Sequence, residues 1–204
     1  MVRGGRGARR EGGAAIERGE GWGRNVRVLG VDPGSRKTGW GLIEEAGGDL
    51  RSLGSGVAAS GNGEISERLA RIGEQIEAIL DEWKPNAVAI EKAFVGKNVA
   101  SALRLGEVRG VILASAGRRR LPVVDYPPAT VKVAVAGAGA ATKEMVARGV
   151  SALLNVDAIA GDATDALAVA VCHVRHDRFR SRLRSSTVVA PAVRARVRVV
   201  RGGR

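Results

Sequence analysis

Apolar and polar positions switch period along the middle of this chain, and the switches mark its elements. NVRVLGVD is an apolar run that closes on Asp32, TGWGLIEE follows a Pro-Gly turn, and DLRSLGSGVAA follows a second glycine turn. Each reads as a strand, and the two tight connections imply an antiparallel start. From 64 to 82 the spacing becomes helical: Ile65, Leu69, Ile72, Ile76, Ile79 and Leu80 fall on one face, with Pro85 just beyond the stop. AVAIE is a short continuous apolar run suited to a central strand, residues 98 to 116 are helical, and LPVVDY is another strand. Strand, helix, strand, helix predicts parallel pairing. From Pro127 the pattern is helical with a glycine break, AGAGA, and a last helix opens near Asp162 and runs to about Arg175. The prediction is an α/β fold: a five-stranded mixed sheet, begun by a meander and flanked by helices.

The two ends lack this patterning. Residues 1–25 mix Gly with Arg and Glu without period and read as a disordered extension, and residues 178–204 read as a flexible Arg-rich tail, leaving 26–177 as the folded domain. A chain of 204 residues with 45% hydrophobic and 26% charged residues suits one globular domain. The single cysteine, Cys172, excludes an intramolecular disulfide and a CxxC zinc site, and no apolar run reaches membrane-spanning length. These features point to a cytoplasmic protein without a membrane partner.

Net charge is +12, but its location limits its meaning. Residues 1–24 hold six Arg against three Glu, and residues 178–204 hold nine Arg and no acid, so the ends carry all of the excess. The folded part is neutral overall. Within it, residues 92–148 hold ten Lys or Arg against three acids, a local excess suited to a nucleic-acid face.

Four carboxylates carry the candidate chemistry: Asp32, Glu91, Asp162 and Asp165. Asp-Pro-Gly is an ordinary turn sequence. Here, however, it ends a strand apolar enough to be central, which puts Asp32 at the sheet edge where α/β folds bind ligands. Glu91 ends AVAIE, and as the end of a neighbouring parallel strand it would emerge about 5 Å from Asp32. Two like charges that close need a cation. Asp162 and Asp165 open a helix, where either could cap; the i, i+3 spacing also puts both on one face. Together the four suit divalent-metal phosphodiester chemistry. Lys132 and Lys143 lie in the basic middle segment, as solvated helix charge or as phosphate contacts. Phe94 lies in a loop just after Glu91, where it could stack on a base.

Other chemistries fit less well. His173 and His176 follow Cys172 on a helix in directions that cannot close a tetrahedral zinc set, and no Ser-His-Asp or Cys-His arrangement stands out. DPGSRKTGWG resembles the phosphate hairpin of actin-like phosphotransferases, which would need a second phosphate loop and more chain. A non-catalytic nucleic-acid-binding module needs only the Arg-rich ends.

The motifs LGVDPGSRKTGWG, LGSG, ERL, AIEKAFVGKN, SALRLGEVRG, VVDYPPATVK and DATDALAVA, in this order over roughly residues 26–176, resemble those of the RuvC-type Holliday junction resolvases. The resemblance implies a ribonuclease H-like fold and a DNA-recombination and repair endonuclease. It makes Asp32, Glu91, Asp162 and Asp165 the catalytic metal ligands for Mg2+, two ions per site, with Mn2+ as a substitute. It also implies that Lys132 and Lys143 face DNA and that Phe94 probes bases near the junction centre. The implied partners are four-way junction DNA, a second copy in a homodimer, and the branch-migration proteins RuvA and RuvB. Paired symmetric nicks in strands of like polarity, leaving 5′ phosphates, would be the outcome.

Overall fold

A computed structural model describes residues 25–92, 99–157 and 161–186. Its five-stranded sheet has the order β3-β2-β1-β4-β5. β1 (Val26–Asp32), β2 (Lys37–Ala46) and β3 (Asp49–Ala59) form the antiparallel meander, and β4 (Ala87–Glu91) and β5 (Val123–Tyr126) add in parallel on the other side of β1. The mixed sheet expected from the pattern is therefore present, with the crossovers made by α1 (Ile65–Trp83) and α2 (Val99–Arg118). After β5 come α3 (Pro128–Ala136), α4 (Lys143–Leu154) and α5 (Asp162–Ser186).

Strand alternation divides the core in two. Leu29, Val31, Val88 and Ile90 face α1 and α2, meeting Ile72, Ile76, Val108 and Ile112. Val28, Ala89 and Tyr126 face the other way, packing with Val131 and Val135 of α3, Val146 and Val150 of α4, and the apolar run of α5 from Leu167 to Val174. α1 stops where Lys84 takes a left-handed conformation and its N–H returns to the Leu80 carbonyl, with Pro85 next in the chain. α3 and α4 are separate helices, as the AGAGA break predicted: Gly137 ends α3 at φ 79°, and the Thr142 side chain caps α4 by accepting from the Met145 N–H.

Two expectations need correction. The last helix does not stop near Arg175, and 178 is not where a tail begins: α5 stays helical to Ser186. Arg178 donates to Glu45 Oε1 at 2.7 Å, so tertiary contact as well as helical continuation holds this segment to the sheet. The expected disorder of the amino-terminal extension falls on residues 1–24, and the remainder of the carboxy-terminal tail on 187–204, both outside the described residues. Among the described residues, no helix is long and apolar enough to cross a membrane.

Candidate metal centre and nucleic-acid face

The parallel pairing of β1 and β4 runs from Val28 opposite Ala87 to Val31 opposite Ile90, so the next residues, Asp32 and Glu91, leave the sheet side by side. Alternation decides their face. Asp32 follows Val28 and Gly30, and Glu91 follows Ala89, all on the side covered by α5. Pleat, parallel register and strand length together aim both carboxyls at the amino-terminal end of α5.

That end is brought close by glycines. A Cβ on Gly30 would collide with the Ala166 carbonyl oxygen and stand 2.7 Å from the Ala170 nitrogen; one on Gly41 would stand 2.7 Å from the Leu167 nitrogen. On Gly39 it would meet the backbone of Asp162. These three glycines let the α5 backbone lie on β1 and β2, which places Asp162 and Asp165 in the first turn of α5 beside the strand ends. The first turn also suits them electrostatically, because acids there oppose the positive end of the helix dipole.

The loop after Asp32 is tied down by side-chain hydrogen bonds. The Thr38 hydroxyl donates to the Gly34 carbonyl at 3.1 Å, and Arg68 of α1 donates to the Ser35 carbonyl at 2.5 Å and to the Ser60 hydroxyl at 3.2 Å. The Asp-Pro-Gly sequence thus both makes the tight connection to β2 and presents Asp32 at the strand end.

A cleft of about 280 Å³ opens between these elements, lined by Asp32, Glu91 and Asp165 together with Lys132 of α3 and Lys143 of α4. Asp32 and Glu91, at the ends of neighbouring parallel strands, stand close enough for each carboxyl to act on the other. Burial, followed by the charge of Glu91, pushes the Asp32 carboxyl up to about 7, and burial also raises Glu91. Two carboxyls so placed favour a cation between them. Asp165 faces a different partner: Lys143 Nζ donates to its Oδ2 at 3.3 Å, and this negative neighbour holds the Lys143 ammonium above its ordinary range. Asp162 is not a lining residue, but its charge is felt at Asp32.

The structure therefore brings the four expected acids to one end of the sheet without closing them into a ligand shell. Among the described residues, no group of three or more His, Cys, Asp or Glu side chains is drawn together as it would be around a metal ion. The donor set still fits a hard divalent cation: carboxylate oxygens only, two of them side by side and raised in pKa by burial. Lys132 and Lys143 form the positive wall, as the basic middle segment suggested. Phe94 lies outside the described residues. The histidines do not join the site: His173 Nδ1 is 3.0 Å from the Tyr126 hydroxyl, and burial lowers its pKa.

Residues 28–173 match the family described as crossover junction endodeoxyribonuclease RuvC. The chain belongs to the RuvC family. A Chlorobaculum parvum protein named crossover junction endodeoxyribonuclease RuvC is 49% identical over 148 residues, covering 71% of this chain and 79% of the relative. A Trichlorobacter lovleyi protein of the same name is 43% identical over 172 residues, covering 83% and 96%. The solved structure of Thermus thermophilus RuvC in complex with a Holliday junction substrate aligns at TM-score 0.73 and 32% identity, covering 76% of this chain and 97% of that one. The ribonuclease H-like sheet and the endodeoxyribonuclease class implied by the sequence motifs are thus both borne out, and membership of the RuvC family makes this a metal-dependent nuclease of recombination and repair.

The glycines under α5 position the helix end that carries Asp162 and Asp165, and the reading of the sequence did not single them out. Their signal was visible: Gly30, Gly39 and Gly41 interrupt strands otherwise rich in apolar residues, and Gly30 and Gly41 are paired across β1 and β2. A glycine inside a strand marks a close backbone approach.

Proposed function

We propose that this protein resolves Holliday junctions by paired, symmetric nicks in strands of like polarity, leaving 5′ phosphates and ligatable ends. The observation that carries the reading is the Asp32–Glu91 pair, two adjacent, partly buried carboxyls in a cleft whose other wall is basic. Asp32, Glu91, Asp162 and Asp165 would hold Mg2+, with Mn2+ as a substitute and two ions per site as the full complement. Bound there, the metal supplies activation of the attacking water and stabilisation of the leaving 3′ oxygen.

The chain's own residues do the rest. Asp32 and Glu91 would fix the sheet side of the site. Asp165 and Asp162 face it from the first turn of α5, where the helix end limits their mutual repulsion. Lys132 and Lys143 neutralise and orient the phosphates of the strand to be cut, which would otherwise be repelled by the acids. Phe94 would read bases beside the cut.

Paired cutting requires two sites, and α2 supports a homodimer. Val99, Leu103, Gly106, Gly110, Leu113 and Gly117 recur at alternating steps of four and three along one face. Val99 and Leu103 are 68% and 66% exposed, and a Cβ on any of these three glycines would meet nothing. Such a seam admits the helix of a second copy at close range. RuvA and RuvB would deliver the junction, in the cytoplasm.

The test is a synthetic four-way junction with Mg2+, comparing the wild-type protein with Asp32→Asn. The expected result is symmetric nicks with 5′ phosphates from the wild type, and junction binding without cutting from the variant. Cutting at the wild-type rate by Asp32→Asn would overturn the site assignment.

A further inference from the structure

Lys143 stands where helix electrostatics disfavours a cation. It is the first residue of α4, the end at which unpaired amide N–H groups carry partial positive charge and acids are preferred. Its neighbours obey that rule: Thr142 caps the helix and Glu144 occupies the same first turn. Lys143 does not, and the reason lies across the cleft. Its ammonium reaches from α4 to α5 and donates to Asp165 Oδ2 at 3.3 Å.

Of the acids lining the cleft, Asp165 is the one outside the Asp32–Glu91 pair. Its carboxylate is paired instead with the lysine on the α4 side. The hold is weak. The Lys143 side chain is 82% exposed and that of Asp165 25%, and an ion pair so open to water shifts an equilibrium by only about 1.5- to 5-fold. It is strong enough to spare Asp165 an uncompensated position among like charges, and weak enough to yield.

We propose that Lys143 is a placeholder counter-ion: it neutralises Asp165 while the cleft holds no divalent cation, and moves to a DNA phosphate when one is bound. This rests on the reading of the cleft as a divalent-metal nuclease site. Two consequences follow from the geometry. Lys143 and a divalent cation compete for Asp165, so removing the lysine tightens metal binding. Metal loading then frees one cation on the DNA-facing wall, so the metal and the junction bind cooperatively through Lys143.

Lys132 provides the internal comparison. It lines the same cleft and lowers the Glu91 pKa through space, but among the described hydrogen bonds and ion pairs it holds no carboxylate.

The experiment uses the full chain. Mn2+ binding without DNA is measured by titration calorimetry for wild type, Lys143→Gln, Lys143→Arg and Lys132→Gln. Lys143→Gln should bind Mn2+ about two- to fivefold tighter than wild type, Lys143→Arg should not, and Lys132→Gln should gain less than Lys143→Gln. Junction binding is then measured against salt, in Ca2+ and in EDTA. In Ca2+ the salt slope of wild type should exceed that of Lys143→Gln by about 0.9, the value of one phosphate contact, and in EDTA the two should coincide. Equal Mn2+ affinities, or a slope difference that persists in EDTA, would overturn the proposal. These readouts do not depend on cutting, so failure of the nuclease reading in the Asp32→Asn assay is distinguishable from failure here.

Discussion

The backbone of α5 at Ala166 lies directly on Gly30, leaving no room for a side chain between them. Gly30 is two residues from Asp32, and Ala166 is next to Asp165. One close approach therefore sets the spacing between acids that are over 130 residues apart in the chain.

Gly30→Ala should push α5 away from β1. The expected cost is about 1–3 kcal/mol from overpacking against backbone that cannot yield, read as a lower urea midpoint. Nuclease activity should fall further than the loss of folded protein explains, because Asp162 and Asp165 move with α5. Activity and stability matching the wild type would show that the helix is free to shift.

The Asp32–Glu91 pair makes stability depend on pH with an unusual sign. Because the folded-state pKa of Asp32 is raised to about 7 from 3.8, the folded protein without metal keeps a proton that the unfolded chain has released between those values. Stability is therefore lost as pH rises from about 4 to about 7, and the loss is complete above that. In EDTA, the stability of wild type relative to Asp32→Asn should fall over this window and then level off, with added Mg2+ restoring it above pH 7. A difference independent of pH would mean that the Asp32 carboxyl is not raised in the folded protein.

At the far end of β2, Glu44 is buried at 1% exposure and accepts from Arg27 at 3.0 Å and from Arg51 at 2.9 and 2.5 Å. The Arg27 hydrogen bond leads in holding its carboxyl below the ordinary range, with Arg51 adding to it against the opposing effect of burial. Glu44→Gln should cost about 1–3 kcal/mol, since a charge-assisted acceptor is lost in a buried position. Chemical unfolding above pH 6 measures it, and an unchanged midpoint would mean that the arginines are satisfied by water alone.

Leu103→Glu should dissociate the proposed homodimer. The substitution puts a charge into the α2 seam while the residue's 66% exposure leaves the isolated fold intact. Sedimentation equilibrium should show a monomer with an unchanged circular dichroism spectrum, and nicks on the junction should become unpaired. A persistent dimer would place the interface elsewhere.

Much of the fold was legible because its signals are local. The isoleucine and leucine spacing of α1, the Pro85 stop and the AGAGA break act within a turn or two of the chain, and the structure follows them. The end of α5 was misjudged for the converse reason. Beyond Arg175 the chain is rich in arginine and polar residues, which reads as solvent-exposed tail, whereas Arg178 finds Glu45 on β2, 133 positions earlier. Glu44 and Glu45 gave no sign of being buried for the same reason: their arginine partners are set by register across strands and by α5.

By itself the sequence determined the candidate acids, their placement at strand ends and a helix start, and the family, because apolar period, turn chemistry and motif order are written along the chain. Only the tertiary structure decided which acids touch. Parallel register set Asp32 beside Glu91, and the approach of α4 to α5 gave Asp165 to Lys143. Contacts between distant segments depend on distances of a few tenths of an ångström set by packing, such as the missing side chain of Gly30, and no local pattern encodes those.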